Sequence, residues 1–302
     1  MKAIVTGGAG FIGSHLVDAL IGKGIEVFVI DNLSSGKLAN LHPKAKWYSL
    51  DINSPEVKDA IKSIKPDALF HLAAQADVGK SIDNPEEDER ININGTINLL
   101  QGCVDASVRK FIFSSTSAVY GNIEREVITE QDLTNPTSFY GLSKLTAESY
   151  IKLFSTLYNL PYTILRYANV YGPRQLPKGD GGVISVFLKR LKKGEPIYIH
   201  GDGEQTRDFI FVKDVVSANL AAFEHTVNQT LHISTGKRIS INDLLQHIAD
   251  IHNQPIIKTF TTARIGDIQH SCLSNERAKE YLHWQPTFSL SEGLKIAYER
   301  SN

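Results

Sequence analysis

Tyr140 and Lys144 stand four residues apart in Tyr-Gly-Leu-Ser-Lys, a spacing that sets two side chains on one face of a helix, one turn apart. A phenol with an ordinary pKa of about 10 is a poor base at neutral pH. A neighbouring ammonium and a cationic nicotinamide both favour the phenolate, so the pair suits removal of a hydroxyl proton during hydride transfer. Just upstream, Ser114-Ser115-Thr116-Ser117 closes an apolar run with a cluster of hydroxyls. Thr116 is the one expected to hold the substrate hydroxyl that Tyr140 deprotonates; its other reading is a turn cap. The Tyr/Lys spacing recurs by chance on many helices, and the hydroxyl cluster is what gives it weight.

A second set of residues suits a dinucleotide. In Gly7-Gly8-Ala9-Gly10-Phe11-Ile12-Gly13, Gly7 permits a tight turn, Gly10 a close backbone approach to a pyrophosphate, and Gly13 close packing of the following helix. The amides of Phe11 and Ile12 open that helix, where its positive end meets phosphate. Asp31 ends the next apolar run, where a carboxylate accepts from adenosine ribose hydroxyls and repels a 2′-phosphate, favouring NAD over NADP. Asn32, Ser35 and Gly36 add contacts at the same edge. Asp51 is read as an acceptor for the adenine amino group, with Ile52 packing on the ring; its other reading is a helix cap. Leu72-Ala73-Ala74-Gln75 supplies small residues where backbone must run close to a ligand, and His71 before them is read as structural.

These residues need a scaffold, and the pattern supplies one. Strands are expected at Lys2–Thr6, Glu26–Ile30, Lys46–Leu50, Ala68–Leu72, Lys110–Ser114, Tyr162–Arg166 and Phe209–Val212. Helices are expected at His15–Gly22, Arg90–Ala106, Gly141–Tyr158, Val215–Phe223 and Ile241–His252. Short apolar strands alternating with helices predict an α/β fold: a doubly wound parallel sheet with a smaller α/β substrate-binding domain. The Gly- and Pro-rich stretch 171–182 marks the passage between them. Residues 1–170 are assigned to the dinucleotide-binding domain, with 209–232 returning to it; 171–208 and 233–302 are assigned to the substrate side.

Composition narrows the class. The chain has 302 residues, 42% of them hydrophobic and 22% charged, which is ordinary globular usage. Its net charge of −1 gives no general attraction to nucleic acid or an anionic membrane. The two cysteines, Cys103 and Cys272, form neither a disulfide framework nor a metal knuckle, so no metal is expected. No apolar run approaches the roughly 20 residues of a membrane span, and the opening is too short for a leader's apolar core. A reducing cytoplasm is the expected compartment.

Taken in order, TGGAGFIGSHL, DNLSSG, HLAAQADV, NINGTINLL, SSTSAVYG, YGLSK, RYANVYGP and GDGEQTRDFIFVKDV resemble the extended short-chain dehydrogenase/reductase family. Within it the chain is similar to NAD-dependent nucleotide-sugar epimerases of the UDP-glucose 4-epimerase type. The resemblance implies a Rossmann domain, tightly held NAD, and a homodimer built on a four-helix bundle from helices near 92–106 and 141–158. It implies Thr116, Tyr140 and Lys144 as catalytic residues, with Tyr140 and Lys144 also on the cofactor. It further implies Asn169 on the sugar or diphosphate, Val183 at a helix start over the nucleotide, and Tyr198 and His200 along uracil. Arg207 and Arg264 would grip the diphosphate, Asp267 the ribose, and Ser271 would face the sugar's C2 substituent. Dehydratases of the family carry an Asp-Glu pair where this chain has Ser117-Ala118, and decarboxylating relatives a glutamate at the second position. Asn169 and Leu176 also depart from the uronate epimerases. The expected activity is inversion of C4 of a UDP-hexose through a 4-keto sugar: UDP-glucose/UDP-galactose, and with Ser271 small, the N-acetylated pair as well. A UDP-glucuronate 4-epimerase and a net sugar-nucleotide oxidoreductase are the alternatives.

Overall fold

The β-branched and aromatic runs of the first half pair side by side, all in one direction. The computed structural model describes residues 1–177, 182–225, 228–262 and 268–300. In chain order come β1 (Lys2–Thr6), α1 (Phe11–Gly22), β2 (Glu26–Ile30), β3 (Lys46–Tyr48), α2 (Glu56–Ile64) and β4 (Ala68–His71). Two short helices, α3 (Val78–Asp83) and α4 (Pro85–Glu89), run through a π-helical turn at Arg90–Asn94 into α5 (Gly95–Asp105). Then follow β5 (Phe111–Thr116), α6 (Phe139–Tyr158), β6 (Tyr162–Tyr167), β7 (Asn169–Tyr171), α7 (Val183–Lys192), β8 (Ile197–His200), β9 (Thr206–Arg207) and β10 (Phe209–Phe211). The chain closes with α8 (Val212–Glu224), β11 (Gln229–Ile233), β12 (Ile239–Ser240), α9 (Ile241–His252), β13 (Lys258–Thr261), α10 (Glu276–Leu282) and α11 (Leu290–Arg300).

Seven strands form one parallel sheet in the order β11-β6-β5-β4-β1-β2-β3. The chain winds outward from β1 to β3, then returns to lay β4 on the other side of β1. That reversal opens a crevice beyond the carboxyl ends of β1 and β4, where Thr6 lies level with His71. Successive side chains alternate between the faces. Ala3, Val5, Val27, Val29 and Phe70 pack on one side with Leu16, Val17 and Leu20 of α1 and Val215 and Ala218 of α8. Ile4, Phe28, Leu69, Phe111 and Phe113 pack on the other with Ile61 of α2, Leu99 and Leu100 of α5, and Ala147 of α6. A third cluster joins α7, β8, β10, α9 and α11 through Phe187, Ile199, Phe211, Leu244 and Leu294.

The doubly wound parallel sheet is the one expected. Its differences from the sequence reading lie at element ends, in one interrupted helix and in short helices that carried no assignment. α1 begins at Phe11 rather than His15, because the glycine turn feeds straight into the helix. β5 runs on to Thr116 and β4 stops at His71. Arg90–Ala106 is interrupted by the π-helical turn, and Val212 opens a helix instead of closing a strand. α2, α10 and α11 had no sequence assignment: each is short and charged, and α2 buries only a stripe of Val57, Ala60, Ile61 and Ile64.

One buried polar lock fixes α6 on the sheet. Arg166 of β6 donates from Nε and Nη2 to the two oxygens of Glu148 on α6, at 2.9 and 2.6 Å, and from Nη1 to the Tyr120 hydroxyl at 2.6 Å. Ser115 of β5 donates to the same carboxylate at 2.5 Å. A buried ion pair with this much hydrogen bonding sets geometry more surely than it adds stability.

Candidate active site

The loop from β1 to α1 forms the floor of the crevice. Gly7 has φ +70°, and a Cβ on it would come within 2.7 Å of the Ala73 amide nitrogen. No side chain caps α1 at Gly10. Its first amides, those of Phe11 and Ile12 among them, are left to an anion. The Phe11 and Ile12 side chains themselves pack inward. Gly13 is required by the loop rather than the sheet, since a Cβ there would strike the Gly7 carbonyl oxygen at 2.1 Å. Asp31, 7% exposed, accepts from the amides of Ala9 at 2.9 Å and Leu33 at 2.8 Å. The carboxylate is thereby aimed across the loop with lone pairs to spare for a diol. Gly36 packs against Ala9 and Asp31, while Ser35 is exposed. Asn32 donates to Asp51 at 3.0 Å. Burial pushes the Asp51 carboxyl up, but hydrogen bonds from Asn53 and Asn32 and the charge of Arg90 bring it net below its usual range. The Ile52 side chain is buried against Gly95 and belongs to the core. Ala73 and Ala74 line the crevice end of β4, beside the core-packed Leu72. The Gln75 side chain turns inward onto Asp77 and Asp88 instead of facing the crevice.

Catalytic candidates meet at the end of β5. Thr116 caps the 3₁₀ turn Ser117–Tyr120, accepting from the Ala118 amide at 3.1 Å, which is its turn-cap reading. Its hydroxyl also faces Tyr140 and favours the ionised phenol. Burial outweighs that contact and pushes the Tyr140 hydroxyl up to about 12. Lys144 is 2% exposed, with Nζ 4.1 Å from the centre of the Phe113 ring. Burial pushes its ammonium down to about 7, against the opposing pull of Glu148 and Asp88. Desolvation thus disfavours both charged forms, the phenolate and the ammonium. His71 is structural as read. Its two nitrogens meet Thr6 Oγ1 at 2.8 Å and Thr96 Oγ1 at 2.9 Å, and burial with the charge of Lys144 keeps it neutral.

The remaining candidates among the described residues stand on β7, α7, β8 and β9 and in the chain beside β9. Asn169 opens β7, and its amide donates to the Asp208 carbonyl at 2.9 Å. Val183 is the first residue of α7. Tyr198, His200, Val186, Phe187, Arg190, Thr261 and Thr262 line a cavity of about 340 Å³. The Arg190 guanidinium sits 4.8 Å from the Tyr198 ring centre, and His200 meets Thr261 Oγ1 at 2.8 Å. Arg207 stands in β9, and Ser271 is nearly buried beside that strand, its amide donating to the Thr206 carbonyl at 3.2 Å. Arg264 and Asp267 lie outside the described residues. The sequence reading missed Arg190 and the buried polar residues Asp88, Asn92, Ser143 and Glu148. A stretch such as Pro-Glu-Glu-Asp-Glu-Arg looks like a solvated helix face, with no signal that one of its acids turns inward.

A doubly wound sheet with a glycine cradle, a buried carboxylate at the end of β2 and a Tyr/Lys pair is the make-up of a dinucleotide-dependent enzyme. Residues 3–234 match the profile of the NAD dependent epimerase/dehydratase family, and the chain belongs to that family. It is 39% identical over 306 residues to the UDP-glucose 4-epimerase of Mycolicibacterium smegmatis, covering 99% of this chain and 98% of that protein. A UDP-glucose 4-epimerase from Thermotoga maritima, solved with UDP-glucose, superposes with a TM-score of 0.97 at 44% identity, covering 99% of this chain and 98% of that one. A UDP-N-acetylglucosamine 4-epimerase from Methanobrevibacter ruminantium, solved with UDP-N-acetylmuramic acid, superposes with a TM-score of 0.94 at 37% identity, covering 99% and 97%. The chain is thus an NAD-dependent enzyme of the UDP-sugar 4-epimerase kind, an isomerase.

The cradle makes a direct prediction. Gly7→Ala forces a side chain into a left-handed backbone and against Ala73, so the NAD content of the purified protein should fall about tenfold or more. Assay of nucleotide released on denaturation checks this, and a wild-type content in the variant would contradict the close approach.

Proposed function

We propose that this chain inverts C4 of UDP-glucose and UDP-galactose, and of their N-acetylated counterparts, by oxidation and re-reduction at one carbon. The observation that carries the reading is the facing pair of hydroxyls, Thr116 and Tyr140, one helical turn from the buried Lys144, on a strand end with no carboxylate at Ser117-Ala118. Elimination of water needs an acid and a base there; these residues offer neither. NAD, when bound, supplies reversible hydride acceptance at C4 together with a positive charge. Its phosphates suit the amides opening α1, its adenosine ribose suits Asp31, and its nicotinamide ribose suits Lys144. Tyr140 Oη takes the 4-hydroxyl proton and returns it, while Thr116 orients that hydroxyl. An ammonium at Lys144 and the cofactor's charge lower a phenol that burial otherwise holds near 12.

On the substrate side we assign Tyr198 and His200 to the base, Arg207 with Arg264 to the diphosphate, Asp267 to the ribose and Asn169 to the sugar end. Val183 would open α7 over the nucleotide. The domain division at residue 170, with β11 in the large sheet, accords with a crevice between a cofactor side and a substrate side. Among the described residues no helix is long and apolar enough to cross a membrane, and Cys103 and Cys272 are both free and buried. A reducing, cytoplasmic setting is proposed from the cysteine usage.

The test is incubation of purified protein, without added NAD, with UDP-glucose, UDP-N-acetylglucosamine and UDP-glucuronate in turn. Conversion of the first two to their C4 epimers is expected. Conversion of the uronate alone, or steady NADH release, would replace the reading with one of its alternatives. Tyr140→Phe should lower turnover by about 10²–10⁴-fold while NAD stays bound; a variant keeping half the wild-type rate would remove Tyr140 as the base. Ser271→Tyr should suppress the N-acetylated substrate and largely spare UDP-glucose, because a bulky ring competes with the C2 substituent. Equal loss of both substrates, or loss of neither, would show that Ser271 does not gate the pocket.

A homodimer fits the surface of α6. Leu142, Tyr150, Leu153 and Leu157 form an exposed apolar stripe along this helix. Sedimentation should give twice the 33.4 kDa chain mass, and Leu153→Glu should give the single-chain mass. A monomeric wild type would contradict the dimer.

A further inference from the structure

A polar hub lies beneath Lys144, and the mechanism above makes no use of it. Asn92, in the π-helical turn, donates from Nδ2 to Ser143 Oγ at 3.0 Å, to Asp88 Oδ1 at 3.2 Å and to the Gln75 carbonyl at 2.9 Å. Gln75 Nε2 donates to the same Asp88 oxygen at 2.9 Å. Asp88 itself is 1% exposed, and its other oxygen, Oδ2, is buried with no hydrogen-bond partner. A carboxylate oxygen out of water with no donor is costly unless a cation offsets it. The π-helical turn opens immediately after α4, on which Asp88 sits, and wide turns of this kind recur at functional sites.

The groups around Lys144 decide which carboxylate serves its charge. Glu148, one turn along α6, is engaged by three donors from Arg166 and Ser115. His71 of β4 is neutral, with both nitrogens occupied. Tyr140 is protonated at neutral pH, and β5 offers the Phe113 ring. Glu148 is the stronger of the two carboxylates acting on Lys144; Asp88 is the second, and it brings a buried oxygen that no donor has claimed, with its charge bearing on Tyr140 as well.

We propose that Asp88 is a positioning residue for the reaction: its unshared oxygen adds to the negative charge that favours the Lys144 ammonium within the dry site, while its other oxygen ties the end of β4 to α6 through Gln75, Asn92 and Ser143. The proposal rests on the epimerase reading above. The ammonium is the working form of Lys144, so activity is lost as pH rises through its pKa. Neutralising residue 88 removes a negative charge that favours the ammonium, and the alkaline limb of the rate profile should move to lower pH. The acid limb is a poorer readout, because the same charge also disfavours the Tyr140 phenolate directly.

The experiment compares Asp88→Asn, Asp88→Ser and Asp88→Glu with wild type, all NAD-loaded as purified. The readouts are kcat/KM on UDP-glucose against pH, melting temperature and NAD content. In the neutral variants the alkaline limb should fall by about one pH unit or more, and in the Glu variant it should stay near wild type. The Ser protein carries the test if the Asn protein does not accumulate. An unmoved limb in a folded, NAD-loaded neutral variant would overturn the proposal, as would an equal shift in the Glu variant. A wild type with no turnover on any UDP-hexose would overturn the functional reading and this role with it; turnover with an unmoved limb overturns the role of Asp88 alone.

Discussion

Keeping a lysine charged where water scarcely reaches it is the constraint on which the site depends. Lys144 is 2% exposed, and burial drives its ammonium toward the neutral form at about pH 7. Every neighbour bears on that balance. Arg166 holds Glu148 against the sheet, which fixes the helical turn carrying Lys144. His71, locked between two threonine hydroxyls, adds no positive charge of its own. Tyr140 shares the same dry environment and is shifted the opposite way, so burial disfavours ionisation at both groups. A dinucleotide with a cationic ring would favour the Tyr140 phenolate, and leaves the carboxylates to support the Lys144 ammonium.

The fold delivers these groups through one topological event. Because β4 returns to the side of β1 away from β2, the ends of β1, β4 and β5 converge on a crevice. The first brings the glycine loop, the second the small residues Ala73 and Ala74, and the third Thr116. α6 then crosses back and lays Tyr140 and Lys144 on the same opening. The third cluster packs α7, β8, β10, α9 and α11 together, with the Tyr198 and Arg190 cavity at its edge.

Much of this was legible in the sequence. Buried parallel strands are nearly continuous apolar runs, so Lys2–Thr6 and Glu26–Ile30 emerged with their observed bounds. The glycine loop was readable because each glycine answers a specific contact, although Gly13 serves the loop rather than the sheet. Side-chain direction was harder. Ile52 was read as packing on the adenine ring, yet its side chain joins the core, since pattern alone does not say which way a loop residue points. Asp88 was hidden for the same reason, its burial depending on a π-helical turn that no periodicity announces. The small helices α2, α10 and α11 were missed because short charged segments lean on tertiary packing more than on their own propensity.

The central claim is that hydride leaves and rejoins the same carbon within one closed site. UDP-glucose carrying deuterium at C4 tests it most directly, using purified protein with no added NAD and following the product by NMR and the solution by absorbance. The account predicts UDP-galactose with the deuterium still at C4 and no accumulation of NADH. Exchange of that deuterium with solvent hydrogen, or a steady rise in NADH, would contradict it.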